Sequence, residues 1–105
     1  MLHQTFNALA DPTRFAIVDR LLRDGAQSAG ALQDVANISA PAISRHLKVL
    51  REAGMIQQDI RAQHRIYSVN PVAMRSLHNW LEETRFFWEG ALDRLETAIQ
   101  KETQK

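Results

Sequence analysis

The sequence predicts a mostly α-helical chain interrupted by one two-stranded β-hairpin, in the order α-α-α-α-β-β-α. Three observations lead there. Apolar residues recur at three- and four-residue steps as far as Gly54, the spacing of a helix face. Over residues 55–69 the period shortens to two, the spacing of strands. From Pro71 the helical period returns and holds almost to the end. With 105 residues the chain suits one domain, residues 1–105, built on one small core.

Residues 2–9 make a short helix with Leu2, Phe6 and Leu9 on one side. Asp11-Pro12 is a start signal, because Asp caps and Pro fits the first turn. Phe15, Ile17, Val18, Leu21 and Leu22 carry the next helix to about Arg23, and Asp24-Gly25 stops it; Phe15, Val18 and Leu22 are expected in the core. Arg14 and Arg20 are expected on a solvated face or in local pairs with Asp11 and Asp24. Ser28 caps a further short helix that turns Leu32 and Val35, with Ala31 beside them, inward. Asn37-Ile38 then makes a tight turn.

The helix from Ser39 to Gly54 organises the rest. Ser39 is an N-cap, Pro41 falls where a missing N–H costs nothing, and Gly54 is a natural stop. Ile43, Leu47 and Leu50 form its apolar face, and Ser44, Arg45, Lys48 and Arg51 its polar one. Ala40 and Ala42 keep the N-terminal end slim, as a helix entering a DNA major groove must be. Together with the short helix before it, over residues 28–54, it makes a helix-turn-helix.

Residues 55–60 and 65–69 read as strands around the tip Arg61-Ala62-Gln63-His64, which lacks the Gly or Asn that would specify a turn type. Asn70-Pro71 then starts a helix expected to run to about residue 101, with Glu102 to Lys105 frayed. Its stripe is Leu77, Leu81, Thr84, Trp88, Leu92, Leu95 and Ile99, broadened by Trp80, Phe86 and Phe87. Such a helix exceeds what a small domain covers, so a second copy of the chain is the expected partner.

Composition narrows the function. The chain has 45% apolar and 24% charged residues, no segment apolar enough to span a membrane and no signal-peptide pattern. It has no cysteine, hence no disulfide, thiolate metal site or Cys nucleophile, in keeping with a cytoplasmic protein. No Gly-rich phosphate loop, nucleophile elbow or paired-carboxylate cleft suggests an enzyme. The net charge of +1 hides an uneven distribution. Residues 39–75 hold Arg45, Lys48, Arg51, Arg61, Arg65 and Arg75 against Glu52 and Asp59, a balance of +4, between flanks of −1 and −2. A basic centre between acidic flanks is a footprint for phosphate.

The run Ala42-Ile43-Ser44-Arg45-His46-Leu47-Lys48-Val49-Leu50-Arg51-Glu52-Ala53-Gly54-Met55-Ile56 closely resembles the recognition helix and first wing strand of the ArsR/SmtB (arsenic-resistance repressor) family of winged helix-turn-helix regulators. Leu9-Ala10-Asp11-Pro12-Thr13-Arg14 and the pair Arg65 and Tyr67 match as well, so the resemblance covers nearly the whole chain. It implies a homodimeric repressor joined through its first and last helices, bound to double-stranded DNA at an inverted-repeat operator. By position, Ser39, Ala40, Pro41, Ser44 and Arg45 are candidates for base edges, Lys48 and Arg51 for phosphates, and Arg61, Gln63, His64 and Arg65 for the wing. For His46 a half-buried structural role and a phosphate contact stand side by side. The dimer candidates are Leu2, Phe6, Leu77, Trp80, Leu81, Thr84, Phe87, Trp88, Leu92, Leu95 and Ile99. The chain departs from the family at Ala40, where a polar residue is common, and at Ala62-Gln63, where a Gly is usual.

Many members of the family respond to metal. Here the last helix carries a lone His78 with Glu82 one turn on, and a solvated His is preferred to a zinc ligand. No metal or cofactor is therefore expected. A small-molecule or protein effector of unknown identity remains open.

Overall fold

The computed structural model describes residues 2–103. The elements are α1 (Leu2–Leu9), α2 (Pro12–Asp24), β1 (Gln27–Ser28), α3 (Ala29–Leu32) with a following 3-10 turn (Gln33–Val35), α4 (Ala40–Glu52), β2 (Ile56–Arg61), β3 (His64–Val69) and α5 (Pro71–Thr103). α2, α3 and α4 surround a core of Ile17, Val18, Leu21, Leu32, Ile43, Leu47 and Leu50, closed from below by Met55, Ile56 and Tyr67.

Caps set the boundaries. The side chains of Asp11, Ser28 and Ser39 each accept from the backbone N–H three residues on, at 3.0, 3.2 and 3.3 Å. α4 ends on Gly54 at φ 76°, with Gly54 N–H donating to Arg51 O and Met55 N–H to Leu50 O. This Schellman pattern reverses the chain and drops Met55 onto the core beside Leu50. Asn70 then donates to Gly54 O at 3.0 Å, tying the far end of the hairpin to the same corner.

Three expectations need correction. Phe15 and Leu22 are not core residues: they are 57% and 52% exposed, while Ile17, Val18 and Leu21 are buried. All five are apolar, and the side of α2 that is buried is the one meeting α4 and the sheet. The hairpin is also not alone. β1 pairs antiparallel with β3, Gln27 opposite Tyr67 and Ser28 opposite Ile66, giving the sheet order β1-β3-β2. Lastly, Glu102 and Thr103 are helical, while the expected fraying of Gln104 and Lys105 falls outside the described residues. At the hairpin tip, strands reaching Arg61 and His64 leave a two-residue turn, Ala62-Gln63, in which Ala62 takes φ 57°.

Arg14 closes the α1–α2 corner. Its guanidinium donates to Ala8 O at 2.7 Å and Asn7 O at 3.4 Å, capping the last carbonyls of α1 instead of pairing with the Asp11 carboxylate. Arg20 does pair locally, with Asp24 at 3.4 Å.

α5 leaves the body. A compact chain of this length has a radius of gyration of about 13 Å; here it is 17.9 Å, and the molecule measures 62 × 29 × 21 Å. Near its start Ala73 is buried and Trp80 meets Phe6 of α1 edge-on, ring centres 5.7 Å apart. Beyond that point Leu81, Trp88, Leu92, Leu95 and Ile99 lie exposed along one side.

Candidate nucleic-acid interface

α4 is held by its apolar face and so presents the opposite one. Ile43, Leu47 and Leu50 are essentially inaccessible to solvent, which fixes the helix in rotation. Pro41, Ser44, Arg45, Lys48 and Arg51 are consequently exposed, with Ala40 and Ser39 at the N-terminal end. The Ser39 Oγ accepts the capping bond and keeps its O–H as a donor. Val49, which the charge pattern gave no reason to single out, is also exposed on α4.

Beside α4 the sheet raises a second wall. Ser44, Leu47, Lys48, Arg51 and Glu52 of α4 face Ile56 of β2 and Arg65 and Tyr67 of β3 across a cleft of about 440 Å3. Its floor is apolar and its rims carry Lys48, Arg51 and Arg65. Residues far apart in sequence thus share one basic opening. In β2 the buried Gln58 Oε1 has no hydrogen-bond partner.

Several of the chain's cations are engaged within it. Arg14 caps α1; Arg20, Arg23 and Arg85 pair on their own helices, Arg85 with Glu89 at 2.7 Å and Glu82 at 3.7 Å. The Glu89 contact raises the Arg85 pKa further. Arg61 pairs with Asp59 at 3.1 Å, and Lys48 lies a looser 3.9 Å from Glu52. Among the described residues no ion pair engages Arg45, Arg51 or Arg65, nor Arg75 and Arg94 of α5. Free guanidinium groups on one exposed face are available to an anion of another molecule.

The other candidates fall as follows. Gln63 and His64 are exposed at the wing tip. His46 differs from the rest of α4: its side chain is only 25% exposed and its Nδ1 lies 3.8 Å from the Asp11 carboxylate. The Asp11 pKa is lowered, first by the Arg14 N–H bond and then, against some desolvation, by the charges of His46 and Arg14. His46 therefore stands between α4 and the N-terminus of α2. Among the dimer candidates, Leu2, Leu77 and Thr84 are half-buried, Thr84 donating to Trp80 O at 2.8 Å; the others lie exposed. Phe86, at 85% exposed, points away from the stripe. Among the described residues no three His, Asp or Glu side chains are placed to share a metal, and no helix is long and apolar enough to cross a membrane.

A rigid basic helix beside a β-hairpin, with free arginines on both, defines a DNA-binding winged helix-turn-helix protein. Known proteins agree. A helix-turn-helix domain model matches residues 9–59. The transcriptional repressor SdpR of Bacillus subtilis is 38% identical over 80 residues, 76% of this chain and 88% of that protein. An ArsR-like transcriptional regulator from Rhodococcus sp. RHA1 superposes with a TM-score of 0.70 at 27% identity, over 92% of this chain and 91% of that one. The homodimeric winged helix-turn-helix DNA-binding domain of Mb0332 from Mycobacterium bovis shares the fold, with a TM-score of 0.65 at 18% identity over 81% of each chain. The chain belongs to the ArsR/SmtB family of winged helix-turn-helix regulators, and it is a DNA-binding transcriptional regulator.

Proposed function

We propose that this regulator is a cytoplasmic repressor that holds an inverted-repeat operator as a homodimer. The observation that supports the reading is the gathering of arginines without an ion pair, Arg45, Arg51 and Arg65, on the α4–wing face, whereas the arginines of α2 are engaged within the chain. In this reading residues 28–54 are the helix-turn-helix, 55–69 the wing and 71–101 the dimerisation helix. Ser39, Ala40, Pro41, Ser44 and Arg45 enter the major groove, where Arg45 reads guanine through two hydrogen bonds. Lys48 and Arg51 hold phosphates. Arg61, Gln63, His64 and Arg65 meet the minor groove or backbone, Arg61 by giving up its exposed pair with Asp59. His46 supports α4 from behind.

Leu2, Phe6 and the α5 stripe would form the dimer, as the uncovered apolar side of α5 and the homodimeric neighbour both suggest. Two-fold symmetry then sets the half-sites one or more helical turns, ~34–36 Å each, apart. Selection of bound sequences from random DNA tests this. The expected product is an inverted repeat whose affinity falls steeply with salt. Enrichment of no motif, or an affinity indifferent to salt, would overturn it.

A further inference from the structure

The polar side chains of the α4–wing cleft can all donate a hydrogen bond save one. They are Ser44, Lys48 and Arg51 of α4 and Arg65 and Tyr67 of β3, with the Glu52 carboxylate as the exception. Three cations against one carboxylate leave the cleft a net charge of +2. Glu52 reaches Lys48 only loosely, at 3.9 Å, and no ion pair among the described residues engages Arg51 or Arg65. Leu47 and Ile56 lie buried beneath as its floor. The volume, about 440 Å3, is that of a small-molecule site, for which roughly 300–1,000 Å3 is usual.

Tyr67 is the member that charge alone does not explain. It is 4% exposed, yet among the described residues its hydroxyl makes no hydrogen bond within the chain. A buried tyrosine hydroxyl ordinarily has a partner. Tyr67 cannot move to find one, because it sits on the central strand, opposite Gln27 of β1 and Gln58 of β2. The Ser44 hydroxyl, one helical turn before Lys48, is unbonded in the same way. Two hydroxyls and three cationic groups thus border one space, carried by a helix and a strand that the core holds rigid. Donors fixed in advance lose little freedom when an acceptor arrives.

The complement of such a lining is a compact dianion rich in acceptors. A phosphate monoester carries a charge of about −1.5 to −2 near neutral pH and presents three acceptor oxygens. A backbone phosphate of DNA carries a single charge. We infer that the α4–wing cleft is a seat for a small phosphate monoester, held by Arg51, Arg65 and Lys48 and by the Tyr67 and Ser44 hydroxyls. An ester bound there fills the space between α4 and the wing and cancels its charge, so ester and DNA exclude one another. The exclusion rests on the reading of this face as the one that meets DNA; the binding of the ester does not.

The probes are phenyl phosphate, a monoester, and methyl phenyl phosphate, a diester with the single charge of a DNA phosphate. Calorimetric titration of the full-length chain without DNA should show saturable binding of phenyl phosphate, about tenfold tighter than that of the diester. Tyr67→Phe keeps the ring and should weaken phenyl phosphate about tenfold while melting stays as cooperative as in the parent chain. Arg75→Ala removes a cation outside the cleft and should change neither affinity. On labelled DNA carrying the selected inverted repeat, phenyl phosphate should release the protein at an ionic strength at which sodium chloride does not. Equal affinity for the two probes would assign the cleft to backbone diesters and overturn the monoester seat. An unchanged affinity in Tyr67→Phe, or release no greater than that by chloride, would overturn it as well, leaving DNA binding intact. A chain that binds phenyl phosphate yet selects no DNA motif would instead overturn the operator reading and leave the seat standing.

Discussion

α4 and α5 are both amphipathic helices opened by a proline in the first turn, yet they use opposite faces. α4 buries its apolar face completely within its own chain, leaving the polar face for another molecule. α5 buries only Ala73 completely and leaves its apolar side out for most of its length. The cations do not divide the two helices in this way: Arg45 and Arg51 of α4 and Arg75 and Arg94 of α5 lack an ion pair among the described residues, and Arg85 of α5 is held by two glutamates. A helix offers a partner the face that its own chain does not use. In α4 that face is basic and suits a polyanion; in α5 it is apolar and suits another apolar helix.

The contrast can be broken most directly in the core. Leu50→Ala should cost about 2–5 kcal/mol of folding stability, because Leu50 is wholly buried. Leu95→Ala, made on the exposed stripe, should leave the melting of dilute monomer nearly unchanged. Equal losses in denaturant titrations would show that α5 is packed in the monomer as α4 is. On the polar side, Arg45→Ala should weaken operator binding by roughly 1–3 kcal/mol and relax base preference at one position. Uniform weakening on every sequence would reduce Arg45 to a phosphate contact, and Arg85→Ala should leave DNA affinity as it was.

Smaller effects sharpen the picture at the helix ends. Ser39→Ala removes the α4 cap and should lower stability by about 1 kcal/mol, read from the denaturation midpoint. Asp11 gives a pH effect with a definite sign. Its carboxyl titrates below the ordinary 3.8, so its contribution is present above that value and is lost as pH falls through the lowered one. Asp11→Asn should flatten this part of the acid limb of the melting profile; an unchanged limb would assign the acid sensitivity to other carboxylates.

Much of this architecture was legible because it is written locally. Ser39, Ser28 and Asp11 cap where their side chains can reach the next turn, and Gly54 stops α4 because it takes a left-handed conformation. The hairpin shows in its period of two. β1 does not, since two residues are too few for any period and their pairing with β3 comes from the fold. The orientation of α2 was misread for a related reason: five apolar residues span a wide arc, and neighbours decide which part is buried. At the candidate site the basic residues were visible in the charge distribution. Which of them are free was not, because Arg14 caps α1 and Arg61 is paired with Asp59, and those depend on three-dimensional neighbours. The turn of His46 towards Asp11 was equally out of reach, lying between residues 35 positions apart.

The turn at Ala62 has a consequence for how the wing moves. An L-residue with a Cβ in the left-handed region costs roughly 1–2 kcal/mol relative to an ordinary conformation. That cost falls at the tip, where Arg61, Ala62, Gln63, His64 and Arg65 are all exposed and no packing offsets it. At the other end of the hairpin, Ile56, Tyr67 and the Asn70–Gly54 bond are anchored in the core. The ladder is therefore graded, held less firmly at the tip than at the base. Amide exchange should show that gradient as protection rising steadily from His64 to Val69.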